Sequence, residues 1–354
     1  MKETDGTTVF VPLLRPEYQY PIANRARGTL WGMDMKVVIT DSTYPDVQIE
    51  REVLSSVGAT VERVNVDTPE AVINTAENAD ALLNQHTEIT KSVFEALDDL
   101  TVVGRYGIGV DNLDVTAATK YGVQVVNVPS YCEEEVATHA LALLLTCARR
   151  VAHYDRRVRA GSWDWKDGRP IHDVGGKTLG LVGFGKIPET LVALTAGFNL
   201  EFIAYDPYRS AQDMDSQGVE KVGFDVLLDR ADFVSIHTPL TDETHELFDA
   251  EAFNRLSNDT VIINTARGGI VNEQALVNAL KRDEIAGAGL DVLADEPPGD
   301  SPLFARDDVV VTPHVAWYSE ESLEAVRRGA AEGVATALHG ERPDGLVNPG
   351  VMDK

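Results

Sequence analysis

Short runs of apolar, β-branched residues alternate with segments of helical periodicity along most of the chain. The first run is MKVVIT at 35–40, and it is followed by ATVERVN, ADALLNQ, TVVGRYG and VQVVNVP. Between these runs, segments such as VQIEREVLSS and PEAVINTAEN place apolar residues at helical spacing. Strands that alternate with helices predict a parallel sheet with helices on both faces.

A second series of the same kind follows a long apolar helix that the pattern predicts at 133–150. Its strands are predicted in TLGLVGF, LEFIAYD, ADFVSIHTPL, TVIINTA, AGAGLDV and DVVVTPH, and a last helix is predicted at 320–339. The fold class predicted is therefore α/β, with two doubly wound parallel-sheet domains. In such folds the ligand site is expected in the cleft between the domains.

Residues 1–34 do not have this alternating pattern. The first predicted strand begins at Met35, and Met33 precedes it by two residues. The segment before it is interpreted as an N-terminal extension. The sequence leaves open whether it is a disordered extension, the product of an early start codon, or an arm that packs on a partner subunit.

The charge balance predicts a strongly acidic surface. The chain of 354 residues has 31 Lys and Arg against 57 Asp and Glu, a net charge of -26. Such a surface repels nucleic acid and anionic lipid, so neither is expected as a partner. Lysine is also scarcer than arginine. The composition resembles that of halophilic proteins in a salt-rich cytoplasm, where counter-ions screen the self-repulsion; the alternative is an acidic enzyme without salt adaptation.

Several classes of site are not indicated. The chain has 2 cysteines, Cys132 and Cys147, which do not suggest a disulfide framework. No histidines stand at metal-binding spacing, so no metal site is expected. No apolar run is long enough for a membrane span. Pro12 and Arg15 interrupt the apolar start of the chain, so a signal peptide is not indicated and a cytoplasmic location is expected.

A glycine loop lies between the first two predicted strands of the second series. In LVGFGKIPET, Gly183 permits a tight turn and Gly185 lets a pyrophosphate approach the backbone, with Lys186 and Ile187 at the start of the helix. The third glycine of the dinucleotide-binding pattern is replaced by Pro188. A proline in the first helical turn removes no intrahelical hydrogen bond, so we expect altered packing and a retained phosphate site.

The next predicted strand ends in AYDPY. Asp206 lies where an acidic side chain accepts hydrogen bonds from the adenosine ribose hydroxyls. A 2′-phosphate would meet this carboxylate, so NAD(H) is predicted to be preferred over NADP(H). Arg209 could soften that preference by pairing with the phosphate.

Three later strands each end in a residue that could carry chemistry. Arg267 follows VIINTA, and its guanidinium matches a substrate carboxylate. Glu296 follows GLDVLAD, and His314 follows VVVTP. A histidine is the usual proton donor for a ketone reduced by a nicotinamide, and a nearby glutamate would orient the ring. Each residue alone could be structural, but three such residues at successive strand ends of one sheet favour catalysis.

These segments resemble the NAD-dependent D-isomer-specific 2-hydroxyacid dehydrogenases. The motifs GLVGFG, AYDPY, HTPLTDETHEL, INTARGGIVNEQAL, GLDVLADEPP and TPHVAWYSEE occur in the family's order and cover essentially 35–340. The resemblance implies a flavodoxin-like substrate domain at 35–131 plus 315–354 and a Rossmann NAD-binding domain at 132–314. It also implies that Arg267 holds the carboxylate and carbonyl of a 2-oxo or 2-hydroxy acid, and that Glu296 pairs with His314, which transfers the proton.

The resemblance assigns further residues to the site. The loop GRYGIGVDNLD would bind the substrate, with Arg105 beside it and backbone N–H groups of Gly107, Ile108 and Gly109 offered to the carboxylate. Residues on the nicotinamide side of the cofactor site are implied after the strands of the second domain. They are His237, Thr238, Pro239, Thr244, Thr265, Ala266 and Asp291.

Within the family, INTARGGIV together with HVAWYSEE looks most like the C-terminal-binding protein branch. There a tryptophan at the position of Trp317 contacts the substrate side chain, which implies an apolar or thioether-bearing substrate; the alternative is interdomain packing. That branch also includes NAD(H)-sensing corepressors, so a binding protein is the main alternative to an enzyme. A relative acting on phosphoglycerate or phosphite ranks lower, because an acidic surface would discourage a dianion.

The resemblance also implies a homodimer built through the NAD-binding domains. The apolar helix VATHALALLLTCA could form that interface. A helix buried in the core would have the same pattern, so the sequence leaves the two alternatives open.

Overall fold

The computed structural model describes residues 35–353, so the predicted N-terminal extension at 1–34 lies outside the described residues. The described strands form one sheet of five strands and one of seven. The five-stranded sheet consists of β1 (Met35–Ile39), β2 (Ala59–Arg63), β3 (Ala81–Asn84), β4 (Val102–Arg105) and β5 (Gln124–Val126). The seven-stranded sheet consists of β6 (Thr178–Val182), β7 (Glu201–Tyr205), β8 (Glu220–Lys221), β9 (Phe233–Ile236), β10 (Val261–Asn264), β11 (Gly287–Leu290) and β12 (Val309–Val311).

Both sheets have the strand orders of doubly wound folds. The order is β2-β1-β3-β4-β5 in the first and β12-β11-β10-β9-β6-β7-β8 in the second, and the strands within each are parallel. The first is the flavodoxin-like order and the second the dinucleotide-binding order extended by one strand. The predicted fold class is confirmed. The strand β8 was not predicted, because two polar residues at a sheet edge carry no hydrophobic pattern.

Several helices begin where a side chain caps their first N–H groups. Thr68, Asp114, Ser210, Asp249 and Asn272 each accept a hydrogen bond from a backbone N–H of the helix that follows. The helices of the first unit are α1 (Gln48–Leu54), α2 (Pro69–Thr75), α3 (Lys91–Ala96) and α4 (Val115–Tyr121). Those that follow are α5 (Glu133–Ala148), α6 (Val151–Arg159), α7 (Lys186–Leu194), α8 (Ala211–Asp215), α9 (Phe224–Arg230), α10 (Ala250–Arg255), α11 (Glu273–Lys281) and α12 (Glu320–Leu338).

The last helix, α12, returns to the first sheet. It begins at a capping box on Ser319 and packs against α1, β3, β4 and β5. Val326, Ala330 and Val334 on this helix are buried in the core of the first sheet. A Cβ at Gly104 of β4 would lie 2.5 Å from the Val334 side chain, so the helix needs a glycine beneath it. Residues from both ends of the described chain therefore build the unit around the first sheet.

The helix α5 buries one face in the core, while Glu134, Thr138 and Ala142 on another face are exposed. Ala137, Ala140, Leu143 and Leu144 are buried in one core cluster with the strands of the second sheet. The helix ends earlier than predicted, because Arg150 adopts a left-handed conformation (φ 51) and α6 starts after it. Among residues 35–353, no helix is long and apolar enough to cross a membrane.

Candidate active site

The three predicted catalytic residues follow β10, β11 and β12, which are neighbours in the second sheet. The carboxyl ends of neighbouring parallel strands lie at the same edge, so the residues that follow them share one side of the sheet. His314 Nδ1 lies 2.6 Å from Glu296 Oε2, and the two side chains are 43% and 36% exposed. The structure thus brings an imidazole and a carboxylate into direct contact in an open position.

Glu296 is held in its ionised form. Burial raises the pKa of Glu296, but the hydrogen bonds from His314 and from the Leu293 N–H outweigh this and lower it below its ordinary value. The charge of Arg267 acts in the same direction. A carboxylate held in this way can orient the imidazole and stabilise its protonated form.

The backbone at His314 is strained and firmly held. His314 has a φ of 52, in the left-handed region that few residues other than glycine adopt, although histidine is among those that enter it more often. Its N–H donates to the Asp291 carbonyl at 2.8 Å, and the indole N–H of Trp317 donates to its carbonyl at 3.0 Å. The Asp291 carboxylate, which is 1% exposed, accepts hydrogen bonds from the N–H groups of Val315 and Ala316. These contacts fix the direction of the His314 side chain.

Asp291, for which the resemblance implies a position beside the nicotinamide, also makes hydrogen bonds to the segment around His314. Its Oδ1 also accepts a hydrogen bond from the Thr312 hydroxyl at 2.6 Å, and His139 Nε2 lies 2.9 Å from that hydroxyl. The carboxylate is therefore fully engaged by protein groups. In this structure Asp291 supports the segment that carries His314.

Arg267 reaches across the cleft between the two units. Its Nη1 donates to the Ala266 carbonyl at 2.7 Å, and its Nε donates to Asp111 Oδ2 of the first unit at 2.9 Å. Asn264 steadies the turn by donating to the Arg267 carbonyl at 2.9 Å. A Cβ at Gly268 would collide with the backbone after β11, so the glycine that follows Arg267 is required by close approach.

The loop at 107–109 lies between two guanidinium groups. The Arg105 side chain occupies the space that a Cβ at Gly107 would take. The Arg267 side chain occupies the corresponding space at Gly109. Burial lowers the pKa of Arg105, and its Nε is buried without a hydrogen-bond partner among the described residues. An unpaired cationic donor of this kind suits an anionic ligand.

One of the three backbone N–H groups predicted to bind the carboxylate is already used. The Gly107 N–H donates to the Arg105 carbonyl at 2.9 Å, which closes a tight turn. The expectation for Gly107 needs correction for this reason, and its φ of 145 explains why the turn needs a glycine. Within residues 35–353, the N–H groups of Ile108 and Gly109 have no protein acceptor.

The glycine loop has the geometry of a phosphate site. Gly183 has a φ of 88, and a Cβ there would lie 2.8 Å from the His237 carbonyl, so only glycine fits. Gly185 caps α7, and the space around its missing Cβ is open. Pro188 is buried in the first turn of α7, where no intrahelical bond is lost, as predicted. The helix N-terminus therefore keeps N–H groups for an anion.

Lys186 and Ile187 connect the glycine loop to the start of α5. Lys186 Nζ donates to Ser130 Oγ at 3.0 Å and lies 3.5 Å from Glu133 Oε1. Ile187 packs against a small buried cluster around Cys132. Both residues thus join the loop to the connection between the two units.

Asp206 lies at the end of β7 beside the glycine loop. Its Oδ2 accepts the Phe184 N–H at 2.8 Å, and its Oδ1 accepts the N–H groups of Tyr208 at 2.8 Å and Arg209 at 3.1 Å. These bonds fix the carboxylate at the carboxyl edge of the sheet. It keeps acceptor capacity for ribose hydroxyls.

The remaining predicted cofactor residues follow β9 and β10. Burial lowers the pKa of His237 to about 4, and its Nε2 lies 2.8 Å from the Ser235 hydroxyl. Thr238 follows His237, while Pro239 accepts the Thr244 hydroxyl at 2.6 Å through its carbonyl. The Thr265 hydroxyl is buried and has no hydrogen-bond partner within the described range. An orphaned polar group at this strand end fits a site that a ligand completes.

Two residues of the cleft were not predicted. Asp111 pairs with Arg267, although its loop was singled out only for its backbone. His86 follows β3, and its pKa is lowered by burial and affected by the charges of Arg105, His314 and Glu296. The same rule that selected the other strand ends would have found His86.

Comparisons with known proteins show which proteins this chain is similar to. A family profile described as D-isomer specific 2-hydroxyacid dehydrogenase, NAD binding domain, matches residues 141–316. A glyoxylate reductase of Korarchaeum cryptofilum is 40% identical over 286 residues, which cover 79% of this chain and 86% of that protein. A D-3-phosphoglycerate dehydrogenase of Methanocaldococcus jannaschii is 37% identical over 316 residues, 89% of this chain.

The chain spans 59% of the length of that phosphoglycerate dehydrogenase. Among solved structures, D-lactate dehydrogenase from Aquifex aeolicus, complexed with NAD and lactic acid, superposes with a TM-score of 0.77 and 26% identity. The match covers 86% of this chain and 96% of that structure. The similarity therefore extends over both units of the fold.

Proposed function

The chain belongs to the D-isomer specific 2-hydroxyacid dehydrogenase family, and we propose that it interconverts a 2-oxo acid and the corresponding D-2-hydroxy acid with NAD(H). The observation that carries this proposal is the contact of 2.6 Å between His314 and Glu296, at the same sheet edge as Arg267. An oriented imidazole beside a guanidinium supplies both a proton and a site for a carboxylate. This is what reduction of a 2-oxo acid requires.

The residues present fit a dinucleotide. The glycine turn at Gly183 and Gly185 and the free N–H groups of α7 would hold the pyrophosphate, and Asp206 the adenosine ribose. The unpaired hydroxyl of Thr265 would face the nicotinamide side. NAD(H) bound there supplies or accepts the hydride. The carboxylate of Asp206 supports a preference for NAD(H) over NADP(H).

Groups of the chain itself would bind the substrate, polarise its carbonyl and transfer the proton. Arg267 would hold the substrate carboxylate together with the N–H groups of Ile108 and Gly109, and it would polarise the carbonyl. His314 donates its proton to the oxygen as the alkoxide forms, while Glu296 keeps the ring oriented. In the reverse direction the neutral imidazole takes the hydroxyl proton. Closure of the two units would exclude water and strengthen these interactions.

The substrate side chain would lie near Trp317. This residue is half-buried beside Ala316 and Cys132, and its indole N–H holds the His314 carbonyl. An aromatic wall supports an apolar or thioether side chain, and with it the C-terminal-binding protein branch. The relatives named phosphoglycerate dehydrogenase favour an anionic side chain instead. Arg105 and Arg267 make the cleft locally cationic, so the acidic surface is a weak argument against such a substrate.

We also propose a cytoplasmic homodimer formed through the NAD-binding domains. The helix α5, one candidate interface, buries one face in its own unit and exposes Glu134, Thr138 and Ala142 on another. Large apolar side chains are instead exposed on α6 and the loop after it: Val151 is 55%, Trp163 90% and Trp165 67% exposed. A second copy would cover this surface, and sedimentation of the wild type against a Trp163→Asp variant would test it.

A substrate panel tests the proposed function. NADH consumption would be followed with glyoxylate, pyruvate, a thioether-bearing 2-oxo acid and phosphohydroxypyruvate, and the reactions would be repeated with NADPH. Turnover of at least one 2-oxo acid is expected. Tight NADH binding without turnover of any of them, together with capture of a partner peptide, would favour the corepressor-like alternative.

A further inference from the structure

A charge pair lies at the adenosine end of the cofactor groove. Arg209 Nη2 donates to Glu189 Oε1 at 2.6 Å, and the two side chains are 39% and 30% exposed. Glu189 belongs to the first turn of α7, directly after the glycine loop. Arg209 follows β7, three residues after Asp206. The pair therefore joins the two elements between which the adenosine ribose would bind.

The backbone of Arg209 is fixed beside the ribose carboxylate. Its N–H donates to Asp206 Oδ1 at 3.1 Å, and its carbonyl accepts a hydrogen bond from Lys221 Nζ at 2.5 Å. Asp206 is itself anchored to the Phe184 N–H of the glycine turn. Because the backbone is held at both ends of the residue, only the side chain of Arg209 can change its partner.

Glu189 holds a guanidinium that is incompletely satisfied. The Arg209 Nε is buried and has no hydrogen-bond partner in the described part of the chain. An arginine near the carboxylate at this strand end is the kind of group that accommodates a 2′-phosphate. As long as Glu189 pairs with Arg209, the guanidinium is not available to a 2′-phosphate. The phosphate would then meet the Asp206 carboxylate without a free cation beside it.

We propose that Glu189 determines the cofactor specificity of this chain by withholding Arg209 from the 2′-phosphate of NADP(H). The inference rests on the proposed function, since it requires that a dinucleotide binds this groove. Release of Arg209 provides the phosphate with a charge-assisted hydrogen bond donor and leaves the contacts to NAD(H) unchanged. The specificity thus depends on a residue of the glycine-loop helix as well as on Asp206.

Dinucleotide binding to the full chain tests this directly. Dissociation constants for NADH and NADPH would be measured by fluorescence titration at one ionic strength, because exposed charge pairs weaken as salt rises. In Glu189→Gln the NADPH dissociation constant is expected to fall about tenfold, the gain typical of one charged hydrogen bond, and that for NADH to stay within about twofold. Glu243→Gln is the matched control, since Glu243 accepts from the Tyr208 hydroxyl at 3.3 Å and does not hold Arg209.

An Arg209→Gln background separates release of the arginine from simple loss of negative charge. In that background Glu189→Gln is expected to leave NADPH affinity unchanged. An equal gain in NADPH affinity in that background or in Glu243→Gln would overturn the proposal. An unchanged ratio of the NADPH and NADH dissociation constants in Glu189→Gln would also overturn it. If the wild-type chain binds neither dinucleotide, the proposed function fails together with this inference, whereas an unchanged ratio with NADH bound overturns this inference alone.

Discussion

Two pairs of a carboxylate and a basic side chain occupy different environments in this molecule. In the first unit, Glu50 on α1 and Arg327 on α12 are 1% and 6% exposed, and two hydrogen bonds of 2.9 and 2.8 Å join them. Asp46 also accepts from Arg327, and Tyr106 donates to Glu50. At the cleft, a single contact of 2.6 Å joins Glu296 and His314, which are 36% and 43% exposed.

The buried pair stabilises the fold, whereas the exposed pair is free to react. The hydrogen bonds to Glu50 raise the pKa of Arg327, and its Nε and Nη2 are bonded, so this pair can only hold two helices together. His314 keeps its second ring nitrogen without a hydrogen-bond partner among the described residues, on a strained backbone that other residues hold. A proton donor must be open to its substrate, so the exposed pair is the one suited to chemistry.

The largest effect is expected from His314→Asn. Asparagine tolerates the left-handed backbone at this position, so the fold should be retained while the proton donor is lost. We expect kcat to fall by about 10²- to 10⁴-fold, with the NADH dissociation constant unchanged. Steady-state kinetics and fluorescence titration would measure this. A variant that keeps most of its turnover would remove His314 from the mechanism.

Glu50→Gln is expected to lower the stability of the fold and to leave kcat nearly unchanged, the reverse of His314→Asn. It leaves the buried Arg327 with the exposed Asp46 as its charged partner, which costs up to about 3–5 kcal/mol of unfolding free energy. Urea unfolding would measure the loss, and kcat of the folded enzyme should remain close to that of the wild type. The double variant Glu50→Leu/Arg327→Met, which removes both charges, should lose less stability. Equal stability of Glu50→Gln and the wild type would contradict the structural role of this pair.

A smaller effect is expected from a substitution of Asp111, which bonds to Arg267 across the cleft. Its contact with Arg267 is largely exposed and is worth at most about 1 kcal/mol. Asp111→Asn should therefore raise KM for the 2-oxo acid by at most about fivefold, because Arg267 is oriented less well, and leave kcat nearly unchanged. Asp99→Asn, on the exposed surface, is the control. A large loss of kcat would assign Asp111 a direct part in the reaction.

Salt should distinguish the buried pair from the surface. Because the net charge is -26, added KCl screens repulsion between surface carboxylates and should raise the melting temperature. The stability lost in Glu50→Gln should depend little on salt, since a buried pair is poorly screened. Melting curves from low to multimolar KCl would measure both. A lower melting temperature in high salt would contradict the expected salt adaptation and favour an acidic enzyme without it.

The strand-and-helix pattern was sufficient to predict both sheets, because buried parallel strands consist of apolar, β-branched runs. It could not separate a core helix from an interface helix: α5 buries one face in its own unit and exposes another, so its place at an interface stays a prediction. It also missed β8, whose two residues carry no apolar pattern. The comparisons support the family, while the C-terminal-binding protein branch stays a prediction because it depends on the short segments around Trp317.

The site could be predicted as far as strand ends determine it. Arg267 and His314 were found because each lies three residues past an apolar strand, and Glu296 because it lies six residues past one. The hydrogen bond of Gly107 depends on turn geometry, and the pairs Asp111–Arg267 and Glu189–Arg209 join residues far apart in the chain. Such contacts depend on how the elements pack, and one sequence does not contain that information.

The configuration of the product tests the central claim most directly. Wild-type protein would be incubated with NADH and the 2-oxo acid of the panel that it reduces fastest to a chiral product, and the 2-hydroxy acid would be resolved by chiral chromatography. The account predicts NADH-dependent formation of the D isomer alone. Formation of the L isomer or of both isomers, or NADH oxidation without a 2-hydroxy acid, would contradict it.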